Sequence, residues 1–197
     1  MDHSENKGKG DSPGVIPPHG GYRDLKSYQM AEIVHDATVV FCDRFINRRS
    51  RTVDQMVQAA RSGKQNIAEG SMASGTSKKT ELKLIGVARA SLEELLVDFQ
   101  DYLRQHSLPL WGKDHPEARK VRGLCYSKDR SYTTYKPYFE DSSAETAANT
   151  AICVIHQTNY LLDQQLRARE KEFLEEGGFT ERLYHARSKA RGWRKEK

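Results

Sequence analysis

Long apolar runs are missing from this sequence. No stretch approaches the roughly 18 uncharged apolar residues that a membrane span requires, so no membrane insertion is expected. The opening residues, MDHSENKGKGDSPG, hold no apolar signal core, and a cytoplasmic protein is the expectation. Cysteine is scarce too. Cys42, Cys125 and Cys153 are odd in number and far apart, which fits neither a disulfide framework nor a zinc knuckle, and they read as buried or half-buried thiols. Apolar residues make up only 37% of the 197-residue chain and charged residues 30%, which predicts one domain with a narrow core and wet outer faces.

Catalytic motifs are missing as well. The sequence contains no P-loop, no Gly-x-Ser-x-Gly and no His-Glu-x-x-His. A two-metal carboxylate site between helices needs a Glu-x-x-His motif on each of two helices, and Glu32-Ile33-Val34-His35 is the single match. A helical ribonuclease of the HEPN type places an Arg and a His four to six residues apart at a helix end. Here Arg104 and His106, and Arg182 and His185, stand too close for that pattern. No catalytic residue, metal ligand or cofactor is therefore assigned.

What the chain does have is helical periodicity. The stretch from Ser77 to His106 organises the rest: Leu82, Ile85, Leu92, Leu96, Phe99 and Leu103 fall at alternating steps of three and four, with Arg89 in the one slot where another apolar residue is expected. A second row, Leu84, Ala88, Ser91, Leu95 and Tyr102, adjoins the first, so this helix should be buried on two sides. An earlier helix is predicted over 22–49, with Met30, Val34, Ala37, Phe41 and Phe45 on one side and Tyr28, Val39 and Ile46 on the other. Thr52 and Gln55 form a candidate capping box for a helix starting at Val53, in which Ala59, Ser62 and Gly63 allow close backbone approach and Gly70 marks the end.

After His106 the pattern fails through Asp141. This insert holds Pro109, Pro116 and Pro137, a short helix predicted over 116–126, and the aromatic residues Tyr132, Tyr135, Tyr138 and Phe139. Ser142 with Glu145 then opens a fourth long helix with the stripe Ala148, Ile152, Ile155, Leu162, Leu166 and Phe173, stopped by Gly177 and Gly178. The expected fold is all-α: an antiparallel four-helix bundle over 22–178 with a long insert at 107–141, preceded by a disordered segment 1–21 and followed by a basic C-terminal extension 179–197. The spare apolar sides of the first and third helices predict self-association into a homo-oligomer.

Two groups of charged residues stand out. An unpaired guanidinium at the core-type position of Arg89 would be costly, so a structural ion pair with Glu69 or Glu94 is expected. The +5 formal charge is concentrated at the end of the chain, where Arg182, Arg187, Lys189, Arg191, Arg194, Lys195 and Lys197 face only Glu181 and Glu196 and surround Trp193. Basic residues around a single aromatic predict contact with the phosphates and a base of RNA or DNA.

Tyr22-Arg23-Asp24-Leu25, Gln65-Asn66-Ile67-Ala68-Glu69-Gly70, Ser77-Lys78-Lys79 and Ala88-Arg89-Ala90-Ser91-Leu92-Glu93-Glu94-Leu95 resemble, in order and spacing, a known bacterial family over residues 22–106. These are the four helix bundle proteins encoded in intervening sequences of 23S rRNA genes, together with the accessory variability proteins of diversity-generating retroelements. The run from Glu175 to Tyr184 is similar to the C-terminal suffix of one branch, whereas the insert at 107–141 departs from the compact family pattern. The resemblance implies a non-enzymatic bundle, a ring of five subunits in several members, with basic surfaces that bind nucleic acid or a reverse transcriptase. A protein–protein assembly module without nucleic-acid binding is the alternative, with a HEPN-like ribonuclease behind it.

Overall fold

A computed structural model describes residues 16–127 and 130–195 of the chain. It is all-helical, and no strand occurs among the described residues. A short 3-10 turn, Tyr22–Asp24, leads into α1 (Lys26–Phe45), followed by α2 (Arg51–Ala73), α3 (Lys78–Gln105), α4 (Pro116–Leu124), α5 (Tyr132–Glu140), α6 (Ala144–Glu176) and α7 (Phe179–Lys195). The long helices close a circuit of neighbours, α1 on α2, α2 on α3, α3 on α6 and α6 on α1. No described helix is long and apolar enough to cross a membrane.

Local chemistry explains the helix ends. Ser77 caps α3, its Oγ accepting from the Thr80 N–H at 3.1 Å. For α2 the cap is Ser50, which accepts from the Thr52 N–H, so the helix starts two residues before Val53 and Thr52 lies inside it. Likewise Ser143, not Ser142, caps α6 through the Thr146 N–H. Two neighbouring hydroxyls compete at each of these starts, and the one with extended backbone wins. Gly70 does not end α2. It is buried inside the last turn of the helix, where an added Cβ would lie 3.4 Å from the Glu81 carbonyl oxygen and from Leu84 Cβ, so its role is close approach to α3. Gly63 has the same role more severely, since a Cβ there would meet Leu92 Cδ2 at 2.6 Å.

The helix α3 is indeed buried on two sides, but within its own chain. Ser91 Oγ lies 2.9 Å from Ser62 Oγ of α2, and Ala88 and Leu95 are fully buried. That second row is therefore largely covered within the chain, while Val87 and Val97 of α3 remain 39% and 49% exposed. On α1, Tyr28 packs edge-on against Tyr22 at 4.8 Å, while Val39 remains 42% exposed. Phe41 of α1 sits between Phe45, Phe99 and Tyr102, with centroid distances of 5.2, 4.9 and 4.8 Å.

The segment between α3 and α6 is more ordered than its prolines suggest. Asn149, buried on α6, accepts from the Trp111 N–H at 2.7 Å and donates to the Pro109 carbonyl at 2.9 Å. Gln157 Nε2 donates to the Arg122 carbonyl at the end of α4, and α5 buries Tyr135 and Phe139 against α1 and α6. Arg44 of α1 donates to the carbonyls of Phe139 and Ser142, closing the far end.

At the start of the chain, residues 1–15 of the expected disordered segment lie outside the described residues. Its last part is tied down: the Gly20 N–H donates to the Ser71 carbonyl at 3.1 Å, and Ser71 Oγ donates to the Gly20 carbonyl at 2.9 Å. Gly20 and Gly21 have φ of 84° and 70°, the left-handed region that lets this segment fold back onto α2.

Candidate nucleic-acid interface

The basic residues are carried by a helix. Gly177, with φ 69°, breaks α6, and α7 resumes at Phe179, where Glu181 accepts from the Gly178 N–H and serves as its first-turn acid. The helix continues through Gly192. A 17-residue helix tolerates one glycine at a cost of about 1 kcal/mol. Tyr184, Arg187 and Arg191 recur at steps of three and four on one side, and positions 194 and 195 continue that row in register. Tyr184 is 68% exposed, and Arg187, Lys189 and Arg191 are all exposed.

Arg182 differs from the others in the set. Its Nε and Nη2 are shielded from solvent with no hydrogen-bond partner, so it belongs to the α6–α7 corner more than to the displayed row. Trp193, Arg194 and Lys195 lie on α7 with side chains outside the described residues, and Lys197 lies outside them entirely. The geometry thus brings Arg187 and Arg191 together with Tyr184, while Lys189 lies on the opposite side of α7.

Arg89 forms an ion pair, but with different acids from those expected. Its Nη1 donates to Glu93 Oε2 at 2.6 Å and its Nε to Asp163 Oδ1 of α6 at 3.1 Å. Glu69 and Glu94 are exposed and take no part; Glu94 faces a shallow groove with Ser62 and Ser91. The reason is helical drift. A strict three-four repeat slips about 20° per heptad around an α-helix, so the row that is central at Leu96 and Leu103 reaches the edge by Leu82 and Arg89. At 33% side-chain exposure Arg89 is wet, and Arg89→Ala should cost about 1 kcal/mol or less in a urea titration, well short of the several kcal/mol of a buried pair. A loss above 3 kcal/mol would show that the pair is dry in solution.

The buried ionic cluster lies elsewhere. Lys78 and Glu81, 7% and 3% exposed, open α3, and Lys78 Nζ contacts Glu172 of α6 directly and Glu81 Oε2 at 3.7 Å. Arg169 Nε lies 3.1 Å from Glu81 Oε1, and its Nη1 donates to Glu172. Burial pushes the Glu81 carboxyl above its usual range against the pull of Arg169 and Lys78. Burial also acts to raise Glu172, but hydrogen bonds from Lys78 and Arg169 outweigh it and hold that carboxyl low. With Pro17, His19 and Ser71 these residues wall a cavity of about 190 Å³. The signal was present in the sequence: four residues before buried Ile85, and seven before it, the core row of α3 meets Glu81 and Lys78. Two balanced charge pairs at that position fix the register of α3 against α6 and offer no surplus charge to a ligand.

Burial pushes the Cys42 thiol up to about 12 and raises that of Cys153, which keeps both as inert thiols. Glu32 is exposed, His35 contacts Asp36 at 3.2 Å, and no metal-holding group of three His, Cys, Asp or Glu occurs among the described residues. Arg104 bonds Asp101, while His106 stacks on Tyr102 at 4.0 Å. Comparisons of the chain with protein-family models, with curated proteins and with solved structures give no match.

Proposed function

We propose that this chain is a non-catalytic four-helix bundle, formed by α1, α2, α3 and α6 with α4 and α5 as the insertion, that binds nucleic acid through α7. One observation carries the reading: nearly all of the net positive charge sits on one exposed helix whose basic row includes an exposed tyrosine. Cations held about one turn apart on a rigid rod meet successive phosphates without further ordering, and each contact releases condensed counterions. By its resemblance to the intervening-sequence and accessory variability proteins, the chain would act as a homo-oligomer, a pentamer in several members of that family, beside a nucleic-acid enzyme such as a reverse transcriptase. Repeating α7 around a ring would turn a weak contact into a strong one.

Removing α7 by truncation after Gly178 is the test. The full chain should bind duplex DNA with log affinity falling against log salt at a slope of about −4 to −5 for each helix engaged. The truncated chain should lose most of that slope and keep its helical circular dichroism. Equal affinity and equal slope in both would move the contact away from α7 and overturn the reading.

A further inference from the structure

A second basic surface lies far from α7 in sequence and owes nothing to its charge. Between the start of α1, the end of α4 and the middle of α6 runs a groove of about 350 Å³ walled by Lys26, Arg122, Tyr126, Arg130, His156 and Tyr160. Arg122 and His156 also wall a neighbouring cavity of about 550 Å³ that adds Trp111, Lys113 and Asp114, so the two share a wall. Its cations are held ready. Arg130 Nη1 donates to the Cys125 carbonyl at 2.9 Å and Arg122 to the Lys113 carbonyl, which orients both guanidinium groups while leaving other N–H groups to donate. Among the described residues no carboxylate pairs with Lys26, Lys113, Arg122 or Arg130. The nearby Asp114 and Glu117 are taken by Arg119 and Lys120.

The aromatic residues give the surface its chemistry. Tyr126 is 86% exposed and Tyr160 63%, far more than an amphipathic ring needs if its only role is to cover the core. We propose that this groove binds a single-stranded segment of RNA or DNA, with phosphates on Lys26, Arg122 and Arg130 and unpaired bases stacked on Tyr126 and Tyr160. The warrant is the combination of unpaired cations with free ring faces: an aromatic face in a basic groove takes an unpaired base, whereas a duplex offers it none. The proposal deepens the nucleic-acid reading and shares its ligand class, but not its site. A chain with both surfaces could hold a duplex on α7 and a single strand in the groove, as at a junction between the two.

Fluorescence anisotropy with a labelled 12-nucleotide oligo-uridine and a 12-base-pair duplex separates the two sites. The full chain carrying Tyr126→Ala and Tyr160→Ala should bind the single strand at least about twentyfold more weakly, each lost stacking partner costing about five- to a hundredfold, with duplex affinity unchanged within twofold. The paired Phe variants should restore single-strand binding, because the ring face and not the hydroxyl does the work. Lys26→Gln should reduce the single-strand salt slope by about 0.7. If the double Ala variant binds oligo-uridine within twofold of wild type while the α7 truncation loses duplex binding, the groove proposal falls and the α7 reading stands. Full-length protein that binds neither probe overturns both. Loss of poly-glutamate binding with oligo-uridine binding intact would assign the groove to an acidic protein instead.

Discussion

Phe41→Ala should lower folding stability by about 3–5 kcal/mol, the range for truncating a fully buried phenylalanine. The ring has no exposed surface and is held by three aromatic neighbours, Phe45 from its own helix and Phe99 and Tyr102 from α3. Its removal leaves a void where α1 meets α3, and the neighbouring rings are too rigid to fill it. Edge-to-face partners add to the area term, which places the expectation toward the top of the range. In a chain of this length the melting temperature should fall by on the order of 10 °C. A loss under 1 kcal/mol, read from urea denaturation followed by circular dichroism, would mean that Phe41 does not meet Phe99 and Tyr102 of α3 in the interior as described. Phe41→Leu should recover much of the loss, since it returns most of the volume.

The second large effect is expected at Asn149. Its amide holds two backbone groups of the segment following α3, the Trp111 N–H and the Pro109 carbonyl, and a third bond to the Glu145 carbonyl ties it to its own helix. With Asn149→Ala both segment groups lose their partner while partly buried, and each such orphan costs about 1–3 kcal/mol. A total of about 2–4 kcal/mol is expected, with Asn149→Leu no better because shape without polarity leaves the orphans in place. Hydrogen exchange gives a local readout: the Trp111 amide should lose its protection in the variant while amides in mid-α3 keep theirs. Unchanged protection at Trp111 would show that the segment is held by Trp111 packing and its 3.2 Å bond to Glu145 alone.

These two residues also show what could be read from the chain. Phe41 was legible, because a long helix repeats its apolar side many times and periodicity survives local noise. So were Ser77 as a cap and Gly177 as a break. Asn149 was not, since an asparagine between Ala148 and Thr150 looks like a lapse in the stripe, and its partners lie about 40 residues away at Pro109 and Trp111. The helix α5 was missed for a related reason: at 9 residues, with Pro137 inside it, it has little intrinsic tendency to form and owes its existence to Tyr135 and Phe139 packing on α1 and α6. Tyr126 and Tyr160 sit on different elements, and only folding brings them to one groove. For the basic row the charge was visible and its support was not. Gly192 interrupts the helical pattern in the sequence, whereas the surrounding Ala, Arg and Lys residues are good enough helix formers to carry one glycine.

The tie between Gly20 and Ser71 has a practical consequence for handling the molecule. It holds Pro17 and His19 against the same small cavity that Glu172 closes from α6, about a turn before the Gly177 break from which α7 departs. The segment 17–20 and the last turns of α6 therefore meet at one cavity. A bulky group attached at Ile16 itself would lie near the end of α6, from which α7 departs. Attachment through an engineered cysteine at the exposed Lys136 on α5, which packs on α1 and α6, would avoid that junction.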